Sequence, residues 1–148
     1  RFGKLDADNM EKIRMSDFIH CLNDDHTDIT VIKDFWILAD EGLLNIAVRN
    51  LVSNARKYSG GSNVSILINH GLLQIEDHGI GIPKTDIAHI FEPFYRATNT
   101  GNVKGKGVGL ALAKSILKNF DANIQVLSQE GKGTLMNVYF KKYENTES

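Results

Sequence analysis

The sequence has little sulfur chemistry available to it, because cysteine occurs once in 148 residues, at Cys21. A single cysteine excludes an intrachain disulfide and a cysteine-based zinc site. Free cysteine behaves as a small hydrophobic side chain, so we expect Cys21 to be buried in the core. We therefore expect Cys21 to have a structural role and no chemical one.

An excess of one charge is also missing, since 17 lysine and arginine residues balance 18 aspartate and glutamate residues. The formal net charge of −1 argues against nucleic acid or an anionic membrane as a partner, although a local cluster could bind a small anion. No apolar run approaches the roughly 20 residues that span a bilayer, and no signal peptide opens the chain. The sequence starts at Arg1 without a methionine, so we expect a piece of a larger protein. Together with the two preceding features, this predicts a soluble, cytoplasmic piece.

The composition that remains is ordinary for a globular protein, with 42% apolar and 24% charged residues. A length of 148 residues suits one domain with one core, so we treat residues 1–148 as a single domain. Residues 1–35 form its less clearly patterned N-terminal part, and residues 143–148 are predicted to be a flexible polar tail.

Hydrophobic periodicity and turn residues divide the chain into strands and helices. Ser16 is the predicted N-cap of the first helix, and Pro83 lies in the first turn of the third. The predicted helices are 16–22, 41–58, 83–92 and 107–120, and the predicted strands are 12–15, 28–33, 35–39, 64–69, 72–77, 124–128 and 134–141. This irregular alternation favours a two-layer α/β sandwich, with a mixed sheet covered on one face by helices, over a parallel doubly wound sheet.

The predicted helix 41–58 has a polar stripe beside its apolar face. Asn50, Asn54 and Lys57 share this stripe because their spacings are four and three. The far side, which we interpret as the solvated face, carries Asn45, Arg49, Ser53 and Arg56. An asparagine oxygen is a suitable ligand for Mg²⁺ and a lysine neutralises phosphate, so the stripe could hold a metal–phosphate complex. The alternative is a polar helix edge that faces water.

A carboxylate ends the apolar face of the predicted strand 72–77. Leu73, Ile75 and Asp77 alternate onto one face, so Asp77 should be buried and should need a donor partner. An exocyclic amine such as that of adenine would suit Asp77, and Ile80 and Ile82 could flank the ring. Gly79 and Gly81 would allow a tight turn and the approach of a flat ligand. An aspartate that caps a turn is the alternative.

A second glycine cluster, GKGVGL at residues 105–110, leads into the predicted helix 107–120. Free N–H groups and the helix dipole favour an anion there, and Lys104 and Lys106 add positive charge. The cluster is not a Walker A loop, because Gly107 rather than Ser or Thr follows the lysine, and it lacks the Rossmann spacing. It predicts either a phosphate site of another kind or an ordinary glycine-rich helix start.

The segment FEPFYR at residues 91–96 lies between the two glycine clusters. Phe91, Phe94 and Tyr95 can hold the start of a polar loop, 97–105, which we predict to be mobile. Arg96 would move with that loop and could reach a terminal phosphate. Ordinary surface charge is the alternative role for this arginine.

Taken in order, these segments resemble the catalytic, ATP-binding domain of sensor histidine kinases. NLVSNARKYS at 50–59 resembles the N box, DHGIGIP at 77–83 the G1 box, FEPFYR at 91–96 the F box and GKGVGLAL at 105–112 the G2 box. GKGT at 131–134 is similar to the last glycine motif. The resemblance covers roughly residues 37–140, and it implies the Bergerat-type sandwich that gyrase, Hsp90 and MutL ATPases share.

The resemblance also implies a role for each motif residue. Asn54 would coordinate Mg²⁺, while Asn50, Lys57 and Arg96 would act beside the phosphates of ATP. Asp77 would bind the adenine amine with support from Thr134. The remaining nucleotide-binding positions implied by the motifs are Tyr58, Gly79, Gly81, Ile82, Phe91, Lys104, Gly105, Lys106, Gly107, Val108, Gly109 and Leu110.

Position 50 separates the subclasses of this superfamily. The ATPase members carry a glutamate four residues before the metal-binding asparagine, where it activates water. Asn50 is an amide and has no basic lone pair for that task. The resemblance therefore implies slow hydrolysis and transfer to a histidine, rather than fast ATP turnover.

Two features depart from the family pattern. His78 stands where Asn, Ser or Thr is commoner in the family, which would alter the turn but not the role of Asp77. The phosphoacceptor motif, His-Glu/Asp-x-x-x-Pro, is missing, since no histidine here is followed by an acidic residue. The chain would thus depend on a separate dimerisation and phosphotransfer domain, and indirectly on a response regulator, and would itself be monomeric. Two functions are alternatives to a histidine kinase: a regulatory nucleotide-binding module without phosphotransfer, and a fast ATPase of the gyrase or Hsp90 type.

Overall fold

The computed structural model describes residues 9–22, 26–93, 95 and 109–144, and alternating apolar residues build its main sheet. Its five strands are β2 (Thr27–Lys33), β4 (Val64–Asn69), β5 (Leu72–Asp77), β6 (Asn123–Gln129) and β7 (Gly133–Tyr139), in the spatial order β2-β4-β5-β7-β6. β2 pairs with β4 in parallel, and the other neighbours are antiparallel. The sheet is therefore mixed, as predicted.

A smaller two-stranded sheet precedes the main one. It consists of β1 (Glu11–Arg14) and β3 (Trp36–Ala39), which pair antiparallel. The helix α1 (Met15–Cys21) and strand β2 lie between these two strands in the sequence. Asp34 closes this unit, because its carboxylate accepts hydrogen bonds from Arg14 Nε at 2.9 Å and from the N–H groups of Ser16 and Phe35 at 3.0 and 2.9 Å.

Two longer helices cover one face of the main sheet. In α2 (Glu41–Lys57), Asp40 caps the N-terminus through Leu43 N–H at 3.1 Å, and the apolar stripe Leu44, Ala47, Val48, Leu51, Val52 and Ala55 is buried. α3 (Gly109–Lys118) buries Ala113, Ile116 and Leu117 against the same core. Together with the sheet, these helices form the predicted two-layer sandwich.

Several local predictions are wrong. Ser16 is not an N-cap: α1 begins at Met15, Arg14 is the N-cap residue, and the Ser16 hydroxyl bonds to Asp34 instead. Cys21 is exposed rather than buried, because it lies in the last turn of a seven-residue helix whose buried residues are Met15, Phe18 and Ile19. Arg56 leaves the solvated face, since its guanidinium donates to Thr27 Oγ1 at 2.8 Å.

The predicted helix 83–92 is also wrong. Only a short 3₁₀ turn, Ile87–His89, forms there, and hydrogen bonds of the i to i+3 kind run from Asp86 N–H to Pro83 O and from His89 N–H to Asp86 O. A segment of ten residues is too short to sustain an α-helix without a wide apolar face, so it folds as successive tight turns.

The end of α3 and the C-terminal segment differ in part from the prediction. α3 ends at Lys118, two residues early, because Asp121 has a positive φ of 57° and Ala122 N–H bonds back to Leu117 O at 3.0 Å. Tyr143, predicted to be part of a flexible tail, is held by the bond from its N–H to Trp36 O at 2.7 Å. The predicted loop 97–105 and residues 145–148 lie outside the described part of the chain.

Candidate nucleotide site

The polar stripe of α2 borders the core as the sequence predicts. Asn50 and Asn54 are half-buried and Lys57 is exposed. The side-chain oxygen of Asn50 faces the start of α3, because a Cβ built on Gly109 would lie 3.5 Å from Asn50 Oδ1. Among the described residues, no hydrogen bond engages the side-chain amide of Asn50 or Asn54.

Asp77 ends the apolar face of β5 and is 5% exposed. Burial raises the pKa of its carboxyl group, and the N–H groups of Gly79 and Thr134 oppose that rise by donating to the carboxylate. The Gly79 bond measures 3.0 Å. These backbone donors occupy only part of a carboxylate's capacity of about four lone-pair sites, which leaves Asp77 able to accept from a further donor.

The glycines near Asp77 are required by close approach of the protein's own backbone. A Cβ on Gly79 would lie 1.3 Å from Tyr58 O, and one on Gly133 would lie 2.1 Å from Asp77 O. Gly81 has a φ of 71°, and a Cβ there would lie 2.2 Å from Gln129 O. A side chain at any of these positions would push the motif away from its neighbours.

Backbone hydrogen bonds join three of the sequence motifs. Ile80 N–H donates to Tyr58 O at 3.1 Å, and Gly131 N–H donates to Ile80 O at 2.7 Å. The loop after β5 is thereby fixed between the end of α2 and the turn that joins β6 to β7. Residues that the sequence places 22 and 51 positions from Ile80 thus meet at one end of the sheet.

Ser128 is a member of this cluster that the sequence reasoning missed. Its hydroxyl lies 2.8 Å from Ile82 N, 2.9 Å from Gly133 O and 2.8 Å from Thr134 Oγ1. Ser128 pairs with Thr134, which pairs with Asp77, so the three form a polar row across β6, β7 and β5. A polar residue at the end of an otherwise apolar strand face was the available signal, the same one that identified Asp77.

The segment that follows Pro83 packs against α3. The ammonium of Lys114 lies 4.9 Å from the centroid of the half-buried Phe91 ring. Asp86, also missed from the sequence, is 2% exposed and accepts a hydrogen bond from the Tyr95 hydroxyl. That bond, followed by burial, raises the pKa of Tyr95. The hydrogen bond from Tyr95 to the buried Asp86 therefore fixes Tyr95, in the F box, against the segment that precedes it.

The described part of the chain contains most, but not all, of the predicted site residues. Asn50, Asn54, Lys57, Tyr58, Asp77, Gly79, Gly81, Ile82, Phe91, Gly109, Leu110 and Thr134 are described, and they come from segments that meet at the ends of α2, α3 and β5. Arg96, Lys104, Gly105, Lys106, Gly107 and Val108 lie outside the described residues, so their predicted roles have no geometry here.

An open depression of about 320 Å³ also lies at this end of the sheet. Its lining includes Asp77, Ser128 and Thr134, but also Glu76 and Leu135, whose positions alternate with the helix-facing ones. The depression therefore extends around the sheet end, and it is not by itself the cleft between α2 and the sheet that the motifs predict.

The donor set suits a metal that is held mainly by phosphate and water. Among the described residues, no three His, Cys, Asp or Glu side chains come together as a metal site. Asn50 and Asn54, one helical turn apart and unengaged by other described groups, offer amide oxygens to a hard cation. Mg²⁺ keeps several waters and takes few protein ligands beside a nucleotide, so these residues fit it.

Comparison with known proteins gives the class. Residues 39–144 match the family described as histidine kinase-, DNA gyrase B- and HSP90-like ATPase. The chain therefore belongs to that ATPase family, which confirms the resemblance read from the motifs. Within the described residues, no helix has the length and apolar character needed to cross a bilayer.

The curated relatives that this chain resembles are sensor histidine kinases. The chain is 35% identical to the sensor-like histidine kinase SenX3 of Mycolicibacterium smegmatis, over 100% of this chain and 42% of SenX3. It is 34% identical to the sensor histidine kinase WalK of Bacillus subtilis, over 88% of this chain and 21% of WalK. The chain thus spans less than half the length of these relatives.

Solved structures agree on the fold. The mycobacterial sensor histidine kinase MprB superposes with a TM-score of 0.74 at 24% identity, over 90% of this chain and 97% of that one. The histidine kinase domain of the E. coli osmosensor EnvZ superposes with a TM-score of 0.64 at 21% identity, over 95% and 92% of the two chains. These likenesses confirm the predicted α/β architecture.

Proposed function

We propose that this domain binds Mg-ATP between α2 and the end of the main sheet, and that it transfers the γ-phosphoryl group to a histidine on a dimerisation domain outside this chain. The observation that carries the proposal is Asp77, a buried carboxylate with unused acceptor capacity at the end of an apolar face. A buried carboxylate is costly unless a partner completes its hydrogen bonds, and the adenine amine is such a partner.

The residues of the domain would bind, orient and neutralise rather than react covalently. Asp77 would fix the adenine ring, with Tyr58 and Ile82 beside it. Bound Mg²⁺ supplies neutralisation of phosphate charge, and Asn54 would hold it. Lys57, whose ammonium is exposed at the end of α2, would contact the phosphates. Positioning of this kind accounts for most of the catalysis in phosphoryl transfer.

Position 50 supports transfer to a histidine over hydrolysis. Asn50 lies one helical turn before Asn54 and faces the start of α3, where the phosphates would lie. An amide cannot take a proton from water at neutral pH, so water in this position would not be activated. A histidine nitrogen needs no such base because it carries its own lone pair. A response regulator would receive the phosphoryl group in turn, in the cytoplasm, where ATP is supplied.

The first test compares two neighbouring positions on α2 in phosphotransfer. The domain is mixed with Mg-ATP and with a histidine-bearing dimerisation domain supplied in trans. We expect Asn54→Ala to lower the transfer rate at least about 100-fold, because the metal loses its protein ligand while the core is untouched. Ser53→Ala, on the exposed side of the same turn, is the matched control and should transfer at the unaltered rate.

Each outcome of that test has a definite meaning. Transfer at the unaltered rate by Asn54→Ala, with an unchanged melting temperature, would remove the metal role from Asn54. Failure of the unaltered, folded domain to bind Mg-ATP in calorimetry would favour the alternative of a regulatory module without phosphotransfer. Release of phosphate faster than transfer would instead favour an ATPase of the gyrase or Hsp90 kind.

A further inference from the structure

The hydroxyl of Ser128 connects three parts of the site that are distant in sequence. Its oxygen accepts a hydrogen bond from Ile82 N–H, in the loop after β5, at 2.8 Å. It donates to Gly133 O, at the start of β7, at 2.9 Å. It also lies 2.8 Å from Thr134 Oγ1. Ser128 thus has three hydrogen-bond partners within the site, whereas the carboxylate of Asp77 has two backbone donors among the described residues.

Counting hydrogens assigns a direction to the contact between the two hydroxyl groups. A serine hydroxyl has one hydrogen and two lone pairs. The hydrogen of Ser128 is directed at Gly133 O, and one lone pair accepts from Ile82 N–H. The remaining lone pair can only accept, so in the contact between Ser128 and Thr134 it is Thr134 that donates. The hydrogen of the Thr134 hydroxyl therefore points to Ser128 and is not offered to a ligand.

This arrangement leaves two acceptors side by side at the end of the sheet. Thr134 pairs directly with Asp77 across β7 and β5, and both side chains lie on the helix-facing side. With its hydrogen held by Ser128, Thr134 presents lone pairs, and an ionised Asp77 also only accepts. A purine with an exocyclic amine offers donor hydrogens to this pair, whereas a purine with a carbonyl there sets an acceptor against two acceptors.

We propose that Ser128 is a positioning residue for base selection: by holding the hydrogen of Thr134, it makes the site reject purines that carry a carbonyl in place of the amine. The inference rests on the proposed nucleotide-binding function and adds to it a residue outside the sequence motifs. Without Ser128, the Thr134 hydroxyl is free to rotate and donate to a carbonyl. Ser128 acts on the base through Thr134, so it has no contact with the ligand itself.

The test measures dissociation constants for ATP and for inosine triphosphate, whose base has a carbonyl where adenine has the amine. The readout is the ratio of the two constants in the presence of Mg²⁺. We expect Ser128→Ala to reduce the preference for ATP about fivefold, the value of one hydrogen bond. Ser128→Thr keeps a hydroxyl and should keep the preference. Ser65→Ala, a strand serine on the outer face of the sheet, is the matched control.

A double variant tests the route through Thr134. Once Thr134→Val has removed the hydroxyl, Ser128→Ala should cause no further change in the preference, because nothing remains for Ser128 to orient. A purely structural Ser128 would weaken both nucleotides in proportion, leave the ratio unchanged and overturn the proposal. If Ser128→Ala does not fold, Ser128→Cys provides the same measurement with a weaker hydrogen-bonding group, and an unchanged ratio there is equally decisive.

The result also separates this inference from the function on which it rests. An unaltered domain that binds neither nucleotide overturns both together. An unaltered domain that prefers ATP, with a preference that Ser128→Ala and Ser128→Cys leave intact, overturns the role of Ser128 alone.

Discussion

Two aspartates at opposite ends of the molecule have similar chemistry but different surroundings. Asp34, beside the small sheet, accepts from Arg14, from the N–H and hydroxyl of Ser16 and from Phe35 N–H. Burial acts to raise its pKa, but the Ser16 and Phe35 hydrogen bonds and the Arg14 charge outweigh it, so the pKa of Asp34 is lowered. Asp77 is more deeply buried, its hydrogen-bond donors among the described residues are all backbone N–H groups, and its pKa is raised.

The difference separates a carboxylate that stabilises the fold from one retained for a ligand. The donors around Asp34 are complete within the protein, so its ionised form is favoured in the folded state. Burial raises the pKa of Asp77, and a donor from a ligand would favour its ionised form. A buried acid with a raised pKa in a cleft is a characteristic of functional sites. We therefore expect substitution of Asp77 to weaken nucleotide binding, and substitution of Asp34 to lower stability without changing binding.

The largest expected effect is the loss of nucleotide binding in Asp77→Asn. The amide keeps the shape but can turn its NH₂ group toward the adenine amine, so we expect ATP to bind about 100-fold more weakly. Because the buried charge is removed, the melting temperature should rise by a few degrees. Calorimetry and thermal unfolding of the same sample measure both. Equal ATP affinity in the variant would show that Asp77 is not the base-binding group.

Asp34→Asn should give the converse result, with a smaller effect. We expect the free energy of unfolding to fall by about 1–2 kcal/mol, since the charged acceptor of two side chains and two backbone N–H groups is lost at a partly exposed site. ATP affinity should not change, because Asp34 lies by β1 and β3, away from the nucleotide site. Urea unfolding with an ATP titration measures both quantities. A loss of affinity without a loss of stability would contradict the comparison.

The smallest effect is a difference in pH dependence. The lowered pKa of Asp34 means that its stabilisation is present above the ordinary aspartate pKa of about 4 and is lost as the pH falls through its folded-state value. The raised pKa of Asp77 has the reverse sign, so its contribution is most favourable below about 4 and is lost as the pH rises through the folded-state value.

Urea unfolding of the unaltered domain and of both asparagine variants, from acid to neutral pH, tests these signs. The stability of the unaltered domain relative to Asp34→Asn should increase as the pH rises, while its stability relative to Asp77→Asn should decrease. Slopes of the same sign for the two variants would mean that the environments of the two carboxylates are not opposed.

Much of the site could be predicted because its parts are local patterns. Asn50, Asn54 and Lys57 needed only helical spacing, and Asp77 needed only strand alternation. Other members depend on contacts between distant segments. Ser128 accepts a hydrogen bond from Ile82, 46 residues away in the sequence. Asp86 has a role in the site because it accepts a hydrogen bond from the Tyr95 hydroxyl. No periodicity of a single element carries such information.

Errors arose where a tertiary partner replaced a local one. Ser16 has the composition of an N-cap, but Asp34, 18 residues away, bonds both its N–H and its hydroxyl. Arg56 has the helical position of a solvated residue, but it donates to Thr27 on β2. The segment 83–92 has a proline suited to a first helical turn, yet it lacks the apolar face that would hold a helix against the sheet.

By itself, the sequence determined the α/β layering, the apolar faces of α2 and β5, and the identity of the glycine-rich motifs, because side-chain period and turn chemistry are properties of short segments. Only the tertiary structure decided which aspartate is saturated and which retains free acceptor sites. Each donor around Asp34 and each backbone contact around Asp77 comes from strand pairing and loop docking between segments that the chain keeps apart.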